Sequence, residues 1–199
     1  MKINKNYKII VILLGFLITI TLGLTLRLER PSHPNIIFIT VDALRADHLS
    51  CYGYKRNTSP NIDKLAKEGT IFLNCFATGS GTVYSFPGIL TGRYIGVNKG
   101  YVLLDNILDK KFSTLAEYLK NAGYYTAAFL NNPHLKINKG FEQGFDYFRN
   151  EWVAKGDAEG MTVRVLDFLN YYQGNKPFFI WIHYLDTHTP YRTSEEYFR

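Results

Sequence analysis

Apolar positions divide the chain into one long uniform run and a series of short runs set between polar, Gly- and Pro-containing segments. Residues Ile9 to Leu26 carry no charge and are rich in Ile and Leu. At helical rise such a run spans about 27 Å, close to the hydrocarbon thickness of a bilayer. Lys2, Lys5 and Lys8 precede it, which predicts a cytoplasmic N-terminus over residues 1–8. Arg27-Leu-Glu-Arg30 follows it where a cleaved leader would carry small residues. An uncleaved, single-pass transmembrane anchor over 9–26 is therefore expected, at the cytoplasmic membrane, with the remaining chain outside. Residues 27–34 read as a polar linker with two prolines, and residues 35–199 as a single further domain.

Within that domain the short runs alternate between two periods. Asn35–Val41 is a continuous apolar run with β-branched residues, the pattern of a buried parallel strand. Ser59–Gly69 reads as a helix with Ser59 as its cap, Pro60 in its first turn and Gly69 at its end. Thr70–Phe76 reads as a second strand, Ser113–Ala122 as a capped helix closed by Gly123, and Tyr124–Leu130 as a third strand. Met161, Val165, Phe168, Leu169 and Tyr172 recur at helical spacing between Asp157 and Tyr172. Pro177–Tyr184 is a fourth apolar strand. Strands alternating with helices predict an α/β fold with a mostly parallel sheet flanked by helices.

Such sheets place ligands beyond the carboxyl ends of their strands. The polar residues there are Asp42, the loop Thr78-Gly-Ser-Gly-Thr82, Asn131 and Asn132, and Asp186 with His188. They are predicted to converge. His183 falls inside the strand pattern and is assigned to the core. Asp186 either orients His188 or caps a turn.

Composition narrows the partners. The formal net charge is +6, and residues 1–30 hold +4 of it, so the basic character belongs to the flanks of the apolar run. No basic face for nucleic acid remains. Cys51 and Cys75, the two cysteines, are compatible with pairing in an exported domain and equally with two buried thiols. No Cys/His spacing points to zinc.

Four segments carry a resemblance. Thr82-Val-Tyr-Ser-Phe-Pro-Gly-Ile-Leu-Thr-Gly-Arg93 resembles the nucleophile signature of sulfatases, closing on the same Leu90-Thr91-Gly92. Pro34–Tyr54 resembles the opening of a sulfatase catalytic domain, and His183-Tyr-Leu-Asp-Thr-His-Thr-Pro-Tyr191 the segment whose last His contacts the ester. The resemblance implies the alkaline phosphatase-like fold, an anionic ester substrate and a divalent metal (Mn, Mg or Ca). It makes Thr82 the nucleophile and a metal ligand, Asp42 a metal ligand, and His188 the group at the oxyanion or leaving oxygen. Ser85 stands where the family has Ser. Ala122–Phe129 resembles the approach to a Lys and a His near the substrate; the Lys is absent, leaving Asn132 or His134 facing the site, and Asn132 is counted with Ser85 as substrate-binding.

Two departures bear on the chemistry. Thr82 stands where sulfatases carry the Cys or Ser that becomes formylglycine, and Phe86 replaces the supporting Arg. A threonine lacks the second hydroxyl by which hydrated formylglycine expels sulfate, so no formylglycine is expected. A phospho-threonine is cleared by in-line attack of water or an alcohol, which tilts the reading towards phosphoryl transfer, although family resemblance alone names sulfate esters. A second Asp, usual beside the first, is replaced by Ala43. The family's later Asp-His-Gly or Asp-Asn segment is not found before Arg199. The expectation is thus a chain ending ahead of its further metal ligands. Three readings follow: a fragment of a longer protein, a split gene whose second polypeptide supplies them, or an inactive membrane-anchored remnant or partner subunit.

Overall fold

Among the described residues, four parallel strands form the central sheet of the unit that begins at Asn35. In a computed structural model they run β1 (Ile36–Val41), β4 (Tyr125–Leu130), β5 (Tyr147–Asn150) and β6 (Phe178–Tyr184), in the spatial order β1-β6-β4-β5. A separate antiparallel pair joins β2 (Leu103–Leu104) to β3 (Ile107–Leu108). The helices are α1 (Pro60–Glu68), α2 (Thr82–Thr91), α3 (Leu115–Asn121) and α4 (Ala158–Tyr171). The structure describes residues 33–94, 103–104, 107–153 and 157–191. The chain divides into Met1–Pro34 and Asn35–Arg199, and the account below concerns the second unit. The expected anchor over 9–26 lies outside the described residues; among those described, no helix is long and apolar enough to cross a membrane.

Alternation along the strands separates two cores. Phe179 and Trp181 of β6 and Ala128 and Leu130 of β4 point to one face, where Phe86 and Leu90 of α2 and Ala116 of α3 cover them. Ile180 and Ile182 with Ala127 and Phe129 point to the other, under Met161 and Val165 of α4. Helices thus cover both faces of the sheet, as the βα alternation predicts. Register pairs Val41 with Tyr184 and Leu130 with His183. The strand ends therefore lie side by side, and the residues that follow them share one edge.

The helices begin where local chemistry starts them. Thr114, not Ser113, caps α3: its hydroxyl accepts from Glu117 N while Glu117 Oε2 accepts from Thr114 N, a reciprocal capping box. Asp157 caps α4 through Gly160 N. Ser59 precedes α1, but its hydroxyl donates to Asp63 Oδ1 and accepts from Ser50 N, tying the helix to the preceding turn.

One expected strand does not form. Residues 70–76 are irregular, and Phe72, Leu73 and Phe76 are exposed. An apolar, extended segment becomes a strand only against a ladder partner, and among the described residues none lies beside it. The free cysteines also depart from expectation, with Cys51 half-buried and Cys75 exposed. Residues 147–150, with no strand signal of their own, form β5 because β4 offers them its open edge.

Candidate active site

The signature segment folds as α2 with Thr82 as its first residue and Gly81 as its cap. The carbonyl of Gly81 accepts from Tyr84 N at 2.9 Å and Ser85 N at 2.8 Å. No side chain caps the helix, so its first N–H groups face outward with the positive end of the helix dipole. That is a favourable place for an anionic group. Two glycines close the loop onto the helix. A Cβ on Gly88 would lie 2.1 Å from Thr78 Oγ1, and one on Gly79 would lie 2.6 Å from Tyr84 Cβ. Thr78 Oγ1 in turn donates to Tyr84 O at 3.1 Å. The Gly-rich stretch is thereby fixed against the helix it precedes.

Asp42 faces Thr82 from the end of β1. Its Oδ2 lies 3.4 Å from Thr82 Oγ1 and accepts from Asn132 Nδ2 at 2.8 Å. The same amide nitrogen is 3.5 Å from Thr82 Oγ1 and 3.2 Å from His183 Nε2. Asn132 Oδ1 accepts from His134 N at 2.9 Å, which sets the amide's orientation. Residues from three strand ends and one helix head therefore meet at a single amide. Of the residues predicted to converge, Asp42, Thr82 and Asn132 meet here, whereas Asn131 is buried away from them, its Oδ1 accepting from Val153 N at 2.8 Å.

His183 was assigned to the core by its place in the strand pattern, and it is fully buried. It is also the floor of the site. Its Nδ1 lies 2.9 Å from Thr40 Oγ1, which accepts from Trp181 Nε1 at 3.0 Å. Its Nε2 lies 3.5 Å from Asp42 Oδ2. With the proton on Nε2 the ring donates towards Asp42; with the proton on Nδ1 it donates to Thr40, and Nε2 accepts from Asn132. Phe86, at the position where the resemblance predicts Arg, packs edge-on against His183 at 5.0 Å and against Trp181 at 5.3 Å. A hydrophobic floor has taken the place of a cation. The signal for His183 was a polar residue inside an otherwise apolar strand, one step before its end.

The carboxyl of Asp42 is held below its ordinary value. The His183 imidazole is the main cause, opposed by partial burial and aided by the charges of His183 and His188 and by the Thr82 hydroxyl. Asp42 is thus ionised at neutral pH and a weak proton acceptor. It suits the role of a fixed negative charge or ligand better than that of a general base.

The rim is more open. A cavity of about 790 Å³ is lined by Asp42, Gly81, Thr82, Ser85, His134 and His188 among others. Ser85 is half-buried, while His134 and His188 are exposed. His188 Nδ1 lies 2.6 Å from Thr189 O, leaving Nε2 for a ligand. Asp186 does not orient His188: its Oδ1 accepts from Ala158 N at 3.0 Å, tying the start of α4 to the end of β6. Thr187 Oγ1 donates to Asp42 O and so fastens the segment bearing His188 to the end of β1.

A family model for sulfatases matches residues 34–199. The chain belongs to the sulfatase family. It is 33% identical over 172 residues to an N-acetylglucosamine-6-O-sulfatase of Bacteroides thetaiotaomicron, a match covering 78% of this chain and 31% of that protein. It resembles a solved structure in complex with its substrate D-glucosamine-2-N,6-O-disulfate, with a TM-score of 0.65 and 29% identity over 76% of this chain and 34% of the other. Its fold also matches the phosphonate monoester hydrolase of Agrobacterium radiobacter, with a TM-score of 0.64 and 21% identity over 82% of this chain and 43% of that one. This sulfatase-family chain spans about a third of the length of the curated relative.

The metal expectation meets a short donor set. Asp42 Oδ2 and Thr82 Oγ1 are 3.4 Å apart and open to the cavity. Among the described residues, no group of three His, Cys, Asp or Glu side chains converges. Hard divalent cations take about six oxygen ligands. The described residues of this sulfatase-family chain do not by themselves fit such an ion.

Proposed function

We propose that this chain carries the nucleophile and ester-binding part of a sulfatase-family hydrolase or transferase acting on sulfate or phosphate esters. The observation that carries the reading is the Thr82 hydroxyl at the uncapped head of α2, within 3.4 Å of Asp42 and 3.5 Å of Asn132. The ester's anionic oxygens sit against the helix N-terminus, with Ser85 beside them. Thr82 Oγ1 gives its proton to solvent in the open cavity and attacks sulfur or phosphorus; its bond forms as the bond to the leaving alkoxide breaks, and protonated His188 gives that alkoxide a proton and regains one from solvent. Asn132 holds the hydroxyl and the carboxylate in register. Thr82 favours phosphorus, because a threonine adduct is cleared by attack at phosphorus and not by elimination. The curated relative favours sulfate. Asp42 and Thr82 serve as two ligands of a divalent ion whose other ligands come from outside the described residues or from a second chain. The apolar run over 9–26 supports a site outside the cytoplasmic membrane.

The test uses the full chain with manganese or magnesium and the sulfate and phosphate esters of one phenol. Thr82→Ala is expected to abolish turnover, and accurate mass of the Thr82 peptide to show a phospho or sulfo adduct in the wild type. Turnover that survives Thr82→Ala without an adduct would falsify the assignment. A second reading is favoured by the donor count: a membrane-anchored partner subunit without activity of its own. It predicts no manganese binding by calorimetry, and the same stability with and without manganese in both the wild type and Asp42→Ala.

A further inference from the structure

Beside the ester cavity lies a second one, of about 350 Å³, lined by Val83, Tyr84, Pro133, His134, Lys136 and Lys139. It shares Val83 and His134 with the ester cavity, so the two lie next to each other. Among the described residues no carboxylate lines it. Neither lysine forms an ion pair among the described residues. Two ammonium groups on one wall with no anion between them repel each other, and an anion placed there relieves that repulsion.

The wall that bears them is fixed. Asn150 Nδ2 donates to Asn132 O at 2.7 Å and to Leu135 O at 2.6 Å. Gln143 Nε2, buried, donates to Gly140 O at 2.8 Å and to Leu108 O at 3.0 Å. Leu135 is fully buried between these anchors. Lys139 closes the short 3₁₀ turn Ile137–Lys139, and Gly140 follows at φ 81° in a left-handed conformation. A Cβ there would meet Leu108 O at 2.6 Å, so glycine is needed both for its backbone and for the close approach. The segment that begins at the Asn132 amide thus ends at Lys139 with both of its flanks pinned.

We propose that Lys136 and Lys139 form a second anion subsite, which takes a sulfate or phosphate group carried by the same substrate whose ester lies at Thr82. The inference rests on the proposed ester site and adds its substrate class: esters bearing at least two anionic groups. Tyr84, half-exposed and lining the same cavity, offers an aromatic ring to the carbon skeleton between the two anions. Lys136 is exposed and Lys139 half-buried, so the subsite binds through partly solvated charges and its contribution is moderate and screened by salt.

The test is calorimetric binding to the full chain, with two pairs of probes: a monosulfated and a disulfated glucosamine, and a monophosphorylated and a bisphosphorylated glycerol. The member with two anionic groups in at least one pair is expected to bind about five- to tenfold tighter than its partner at low salt. Which pair shows the difference identifies the skeleton. The difference should vanish in K136Q/K139Q. It should persist in K64Q/K67Q, which removes the same charge from α1, and in T82A. Equal affinity within both pairs, no binding of any probe, or a difference that survives K136Q/K139Q overturns the subsite. Failure of the ester reading looks different: turnover persists in T82A while the lysine-dependent difference remains.

Discussion

Trp181 lies on β6 and His188 just beyond its end; one packs beneath the ester cavity and the other stands on its rim. The floor around Trp181 is closed. Thr40, Asn132 and His183 satisfy one another there, with Phe86 sealing the edge. The rim residues Ser85, His134 and His188 are half-buried or exposed. The contrast separates two tasks that share one site. The floor fixes Asp42 and Thr82 at a set distance, while the rim leaves polar atoms free for a ligand. Substitutions in the floor should therefore act on stability and chemistry together, and those on the rim on chemistry alone.

The largest expected effect is at Trp181. Trp181→Ala should cost about 3–5 kcal/mol by denaturant unfolding, since the side chain is fully buried and supplies a donor to Thr40. A loss under 1 kcal/mol would break the contrast. Asn132→Ala comes next, at about 1–3 kcal/mol, because it strips a donor from Asp42 and a partner from His183. Its turnover should fall with its stability.

A smaller effect depends on pH. The folded protein holds the Asp42 carboxyl below its ordinary 3.8, chiefly through His183. The resulting stabilisation is fully present above the unfolded value and is lost as pH falls through the folded one. The stability gap between the wild type and Asp42→Asn should accordingly be constant near neutrality and narrow below about pH 4. A gap that widens on acidification would reverse the sign assigned here. The smallest effect on stability is at His188. His188→Ala should change unfolding free energy by no more than about 0.5 kcal/mol, as surface substitutions do, while turnover drops.

The strands at 36–41, 125–130 and 178–184 were legible because continuous apolar runs of that length carry their own signal. Helices at 60–68 and 158–171 were legible from caps and spacing. Residues 70–76 carried a strand-like signal and stayed irregular, because a strand also needs a neighbour that its own residues do not encode. Residues 147–150 became a strand for the converse reason. Within the site, Asp42, Thr82 and Asn132 were readable as polar residues following strands or opening a helix. His183 was not, since burial in a strand marks a core residue and a site floor alike. The second anion cavity depended on Lys136 and Lys139 lying beside Tyr84, a proximity that sequence spacing does not express.

By itself, the sequence determined the α/β class, the helix-mounted hydroxyl and the family, because local periodicity, capping chemistry and a signature segment are properties of neighbouring residues. Only the tertiary structure decided that one amide would link Asp42, Thr82 and His183, and that Phe86 would stand as an apolar floor in place of a cation. Those relations join β1, α2, the end of β4 and β6, and distances between such segments are fixed by packing across the sheet.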